Sequence, residues 1–292
     1  MRKVGSTTDT ADANGEYTNG NVANGISPTI INAEMLNTFQ RELVNVVEGA
    51  GMELDPADDN QVAKAIEKKV GGGRLLNIKT FTSSGTYTPT PGTRYVIVEA
   101  VGGGGGGGGC SSPDSGSVSS AAGGNSGSYG KGRYAVSSNI AVTIGSGGDG
   151  GNASSSSTGA TVGVAGGETR FGNLLICPGG NSGLAANSFK IPNICQSIAI
   201  KTNGVTGSNI SSIDGEAGGN GFALGPGISG KGGSNPLGSG GASVGVTGSN
   251  SVKGNDGSGY GSGGSGAFAG PGAQGKSGGK GAPGLVIVWE LS

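Results

Sequence analysis

From Val101 to Gly284 the chain is punctuated by glycine at intervals of three. Glycine stands at 215, 218, 221, 227, 230 and 233, and again at 263, 266, 272, 275, 278, 281 and 284, with the beat missed at Leu224 and Ala269. Shorter stretches keep the interval, such as Gly124, Gly127 and Gly130, or Gly145, Gly148 and Gly151. An α-helix repeats every 3.6 residues and a strand every two, whereas a polyproline-II helix turns in three. The comb therefore predicts extended helices, each with one bare edge. Such a helix bonds nothing within itself, so its amides and carbonyls need partners on neighbouring helices, and glycine edges let the backbones approach closely enough. A flexible glycine-serine linker is the competing reading. It gives no reason for the period, nor for the apolar strand Leu285 to Leu291 that follows.

Glycine makes up 68 of the 292 residues, yet only 6 precede residue 71, so the chain divides near residue 70. The first 70 residues hold 6 Lys or Arg against 11 Asp or Glu, the rest 12 against 8. Neither part has the basic excess that nucleic-acid binding demands. Aromatics are 4% of the chain, so a side-chain core over the glycine array is thin. Backbone packing, oligomerisation or both must make up the difference. Histidine is absent, which removes the commonest general base and metal ligand, and no cofactor or metal is expected. Cys110, Cys177 and Cys195 lack the paired short spacings of zinc sites; buried thiols are expected, with a Cys177–Cys195 disulfide as the alternative. No apolar leader follows Met1 and no transmembrane run occurs, so synthesis and first folding are expected in a cytoplasm.

Residues 1–31 are polar, with Asn-Gly at 14, 19 and 24 and Pro28, and read as an extended arm. Asn32 is placed to cap a helix from Ala33 to Glu48, whose stripe is Leu36, Phe39, Leu43, Val46 and Val47. A second helix is expected from Asp55 as cap and Pro56 at its first position to Gly71, with the stripe Val62, Ile66 and Val70. Two stripes this narrow cannot make an independent core, so Leu36, Phe39, Leu43, Val47, Val62 and Ile66 are expected to pair with other copies or with a partner. Beyond Gly73, strands are expected at 75–82, 86–88, 94–101, 140–144, 169–177 and 285–291, forming a small antiparallel sandwich from which the array of 102–284 departs. The fold class is thus mainly β, with short N-terminal helices and a stack of polyglycine-type helices, in two parts, 1–70 and 71–292.

Several stretches of the first part resemble one family. Gly5-Ser-Thr-Thr, Gly15-Glu-Tyr-Thr-Asn-Gly-Asn, Gly25-Ile-Ser-Pro-Thr, Leu36-Asn-Thr-Phe-Gln-Arg-Glu-Leu and Leu54-Asp-Pro-Ala-Asp-Asp-Asn-Gln are similar to the amino-terminal segment of tail fibre proteins of contractile-tailed phages and prophages. Thr80-Phe-Thr-Ser-Ser-Gly-Thr-Tyr, then Tyr95-Val-Ile-Val-Glu-Ala-Val before polyglycine, resembles the glycine-rich adhesin domain of phage tails. The resemblance implies attachment to a baseplate protein, a homotrimer, assembly in the host cytoplasm into a virion, and recognition of a bacterial surface receptor, either a lipopolysaccharide glycan or an outer-membrane protein.

Gly270-Pro-Gly-Ala-Gln-Gly-Lys276-Ser277 has the spacing of a phosphate-binding loop, and Gly225-Pro-Gly-Ile-Ser-Gly230 fits a dinucleotide fingerprint. Both mechanisms need a helix directly after the loop, and the glycines and prolines that follow preclude one. A glycan depolymerase would need two placed carboxylates, for which Asp214 and Glu216 are the close pair. An ice-binding scaffold would need a flat, regular row of Thr or Ala, but Glu216, Asn220, Lys231, Lys276 and Lys280 stand beside the glycines. The apolar interruptions carry the stronger signal, because turns between packed rods collect at their ends. Phe189, Phe222, Leu224, Leu237, Tyr260 and Phe268 are the candidate receptor-binding residues, with Phe222 and Phe268 expected at surface turns. The expected function is non-catalytic host adsorption.

Overall fold

The computed structural model describes residues 2–70, 73–197, 204–224 and 227–292. Gly71 and Gly72, expected to end the second helix, lie outside the described residues, as do 198–203 of the long break and the Gly225-Pro226 step. The chain forms two compact units, Met1–Arg74 and Leu75–Ser292.

In the first unit, α1 spans Ala33–Glu48 and the side chain of Asn32 accepts from the Met35 amide, capping it as expected. Helix α2 spans Gln61–Val70 and not the expected start at Pro56. The Asp55 and Asp58 carboxylates accept from the amides of Ala57 and Asn60, and the Gln61 amide group donates to the Asp55 and Asp58 carbonyls. Such side-chain turns compete with helix formation, so 55–60 coils. Residues 2–31 are no extended arm either. They hold two short 3-10 turns, Val4–Ser6 and Val22–Asn24, and are tied by Thr29 Oγ1 to the Thr10 carbonyl at 3.0 Å and by the Asn32 side chain to the Thr7 carbonyl at 2.8 Å. Gly15, Gly20 and Gly25, at φ near 70°, reverse the chain after each asparagine.

The second unit begins with a sandwich. One sheet runs β1 (Leu75–Phe81), β19 (Leu285–Leu291), β3 (Tyr95–Val101), β5 (Tyr129–Ala135) and β11 (Ser211–Ile213); the other runs β2 (Gly85–Tyr87), β6 (Ile140–Thr143), β7 (Thr169–Phe171) and β8 (Leu175–Cys177), all antiparallel. The expected strand 169–177 is a hairpin, broken at Gly172, where φ is 52°. Val96, Val98, Val286, Val288, Phe171 and Leu175 fill the core between the sheets. The even residues of β19 face this core, and among them is Glu290, fully buried. Burial alone would raise its carboxyl. Hydrogen bonds from Thr90 (2.6 and 3.0 Å), the Tyr87 hydroxyl (2.8 Å) and the Lys79 ammonium (3.1 Å) outweigh that and hold it at about 2.

The array grows directly out of β3, β5 and β19. Around Gly102–Gly109 the amides donate in rotation to three neighbours: 102, 105 and 108 to Ser128, Asn125 and Ala122; 103, 106 and 109 to Gly167, Val164 and Thr161; 104, 107 and then Cys110 to Ala282, Gly279 and Lys276. The carbonyls accept in the same rotation: 103, 106 and 109 from Gly180, Gly183 and Ala186; 104, 107 and 110 from Gly148, Gly151 and Ser154; 105 and 108 from Gly264 and Ala267. Six segments thus surround one, and each partner returns every third residue, the interval of the comb. This run is all glycine because a Cβ on any of 102–109 would lie 1.9–2.2 Å from a neighbour's carbonyl oxygen. The segment 276–284 keeps glycine where it meets other backbones, Gly278 and Gly281 against the Gly107 and Gly104 carbonyls and Gly279 against that of Asn255, while Lys276, Lys280 and Pro283 are exposed.

Candidate functional site

The hydrogen-bond register gives the array two ends. Val101, Tyr129 and Leu285 mark the sandwich end, where each segment becomes a strand. Level with Cys110 at the other end lie Ala121, Ser154, Ala186, Ala267 and Lys276. The connections 111–117, 153–160, 187–197, 245–252 and 269–275 turn there, and Phe222 and Ile228, on either side of the Gly225-Pro226 step, lie opposite each other there.

Two small antiparallel sheets are built from these connections. One comprises β16 (Ser251–Val252), β18 (Phe268–Ala269), β4 (Ser117–Ser120) and β9 (Phe189–Lys190); the other β10 (Asn193–Cys195), β12 (Gly221–Ala223), β13 (Gly227–Ile228) and β15 (Gly245–Val246). In the second sheet, Ile194 lies opposite Phe222, and Phe222 opposite Ile228. Directly paired residues share a face, so the three make one apolar row roughly 10 Å long across strands about 4.8 Å apart. The row is open: Ile194 is 62% exposed, Phe222 44% and Ile228 39%, with Leu224, at 71%, just beyond the end of β12. The alternate positions Gly221, Ala223 and Gly227 are buried, and Ala223 packs with Phe268, Val118 and Val244.

Of the six sequence candidates, Phe222, Leu224 and Phe189 are exposed at this end. Phe268 is corrected: it is 1% exposed, a core residue beneath the sheet that carries the row. Its ring fills the space left because residue 227 is glycine, where a Cβ would sit 2.1 Å from Phe268 Cε2. Leu237 and Tyr260 are corrected too. They are half-buried against Val101, Tyr129 and Leu285 at the sandwich end, beside the pair β14 (Gly238–Ser239) and β17 (Ser258–Gly259). The sequence marks Ile194 only as one apolar residue of the long break 184–213, and Ile228 not at all, because strands of two or three residues show no alternation to read.

Four carboxylates of the array, Asp149, Glu168, Glu216 and Asp256, form ion pairs. Burial pushes the Glu216 carboxyl up, but Lys231 at 2.7 Å and the Ser234 amide at 2.7 Å prevail and leave it below its ordinary range. Lys280, at 2.9 Å, holds Asp149 low by its hydrogen bond. A glycosidase acid needs the opposite shift. Behind the phosphate-loop spacing, the amides of Gly278, Gly279, Gly281 and Ala282 donate to Gly151, Ser265, Gly148 and Ser262, so the chain continues as an array segment and not as a helix. Cys177 lies in the sandwich core and Cys195 at the far end, which separates the pair considered for a disulfide. Burial pushes the Cys110 thiol up to about 12.

In the first unit, Leu36, Phe39, Leu43 and Ile66 are exposed, whereas Val47 is buried and Val62 half-buried. Val47 is thereby corrected as a residue available to partners. No family model matches the chain, and no curated protein matches it.

Proposed function

We propose that the protein is a host-recognition tail fibre, docked to its tail through the first unit and binding a bacterial surface receptor with the far end of the glycine array. The observation that carries this reading is the exposed row Ile194–Phe222–Ile228, held on a sheet whose other face is cored by Phe268. A large apolar side chain left in water on a rigid support is what a binding anchor requires. Burying the exposed part of one such residue against a partner contributes roughly 2 kcal/mol at about 25 cal/mol per Å². Adsorption of purified protein to host cells tests the reading. Phe222→Ala and Ile194→Ala should each weaken binding about tenfold or more with melting unchanged; wild-type adsorption by both variants would refute it.

A further inference from the structure

Among the described residues, eleven of the twenty-three exposed large apolar side chains lie between Tyr17 and Val70, so the small first unit has much surface in need of a cover. On α1, exposed Leu36, Phe39 and Leu43 and half-buried Val46 are spaced three, four and three residues apart. That is the a/d spacing of a seam between helices. Leu43 also borders an open pocket of about 210 Å³ between the helices, lined by Val47, Leu54 and Val62, with Asp59 among its polar lining.

We propose that this surface takes a helical, apolar and basic segment of another protein, the seam seating its apolar residues and the pocket one large side chain. Charge decides against a second copy. Residues 1–74 hold seven basic against eleven acidic residues, a net −4. Much of the basic charge is already committed: Arg2 to Glu34 at 2.7 Å, Lys3 to Glu16 at 3.2 Å, Lys64 to Asp58 at 2.7 Å, and Lys68 to the Gly51 carbonyl at 2.9 Å. Another copy would bring the same negative field to the contact, whereas lysines or arginines flanking an apolar stripe would complement it. The inference rests on the first unit being the docking end, and its test makes no use of adsorption, so it can fail while the receptor reading stands.

The full chain is titrated by calorimetry with two synthetic helical 18-residue peptides, one with Leu at a and d positions and Lys elsewhere, the other with Glu in place of Lys. Sedimentation of the chain alone runs in parallel. The lysine peptide should bind at least tenfold more tightly than the glutamate peptide and weaken as salt rises. Phe39→Ser with Leu43→Ser should abolish that binding while helical circular dichroism persists, because both side chains are exposed; Leu43→Met should retain it. Equal binding of the lysine peptide to the double variant would reduce the effect to bulk charge and overturn the proposal. So would binding of neither peptide, or self-association that the double variant abolishes, which would make a second copy the occupant.

Discussion

Gly107→Ala is the sharpest perturbation of the array. Its Cβ would stand 2.0 Å from the Ser265 carbonyl oxygen, 2.3 Å from that carbonyl carbon and 2.8 Å from the Gly266 amide nitrogen. Ordinary contact begins at 3.4 Å, so the two backbones must part by about 1.4 Å. Neither can retreat, since 102–110 has neighbours on six sides and 261–267 bonds to Gly105, Gly108, Gly230, Gly233, Asn255 and Pro283. Parting them stretches the bonds from Gly264 to Gly105 (3.0 Å) and from Ala267 to Gly108 (3.1 Å) beyond useful length. A buried polar group left unpaired costs about 1–3 kcal/mol, and overpacking about 1–3 more. With partial relaxation, a loss on the order of 4 kcal/mol is expected, or roughly 10 °C of melting temperature for a unit of this size. Trp289, the single tryptophan, lies in β19 and reports on this unit by its fluorescence. Gly85→Ala is the control, because nothing lies within 4 Å of its Cβ and it should melt within about a degree or two of wild type. Equal melting of the two variants would refute close backbone packing and restore the linker.

Three further outcomes follow from the same structure. Glu290, lowered from 4.5 to about 2, contributes stability that is fully present above pH 4.5 and lost as pH falls through 2, about 3 kcal/mol in all; Glu290→Gln should flatten acid unfolding in that window, and an unchanged acid transition would count against the buried network. Phe268→Ala should destabilise the second unit by the roughly 3–5 kcal/mol typical of a buried phenylalanine and lower its melting temperature, whereas Phe222→Ala should leave melting alone and weaken adsorption; the reverse pairing would exchange core and site. Gly227→Ala should mimic Phe268→Ala in a thermal scan, because its Cβ occupies the ring's place; wild-type melting would show that the ring lies elsewhere.

The strands that were legible carry branched or aromatic residues in continuous runs: Tyr95–Val101 and Leu285–Leu291 need no tertiary context to be recognised. Strand β5, Tyr-Gly-Lys-Gly-Arg-Tyr-Ala, was hidden because Gly130 reads as part of the comb and Gly132 breaks the strand pattern. It is a strand because β3 pairs with it at seven positions, and a Cβ on Gly130 would meet Val205, Leu175 and Cys177 at 2.7–3.1 Å. Propensity gives way there to pairing and close approach. The comb told that rods pack by their glycine edges, but not which run lies innermost. The unbroken eight glycines mark the run whose every position abuts a neighbour's carbonyl, whereas 261–267, also bonded to six segments, carries Ser262, Ser265 and Ala267 between its glycines.

The same limit governs the far end. Phe222 and Phe268 have nearly the same local sequence, each beside alanine in a short break between glycine runs, and nothing within either break separates a core residue from a surface one. The separation is made by the partner strands. Phe268 lies in a central strand between Val252 and Ser120, under a sheet whose inward positions are Gly221, Ala223 and Gly227, small enough to admit a ring. Phe222 lies between Ile194 and Ile228 on that sheet's outer face, where no segment among the described residues covers it. One aromatic therefore gives the turn region the small core that glycine rods cannot supply, and this core keeps the other outside. An end made of glycine turns alone would have neither a support nor an anchor. The apolar breaks supply both, which is why their number exceeds what the exposed row uses.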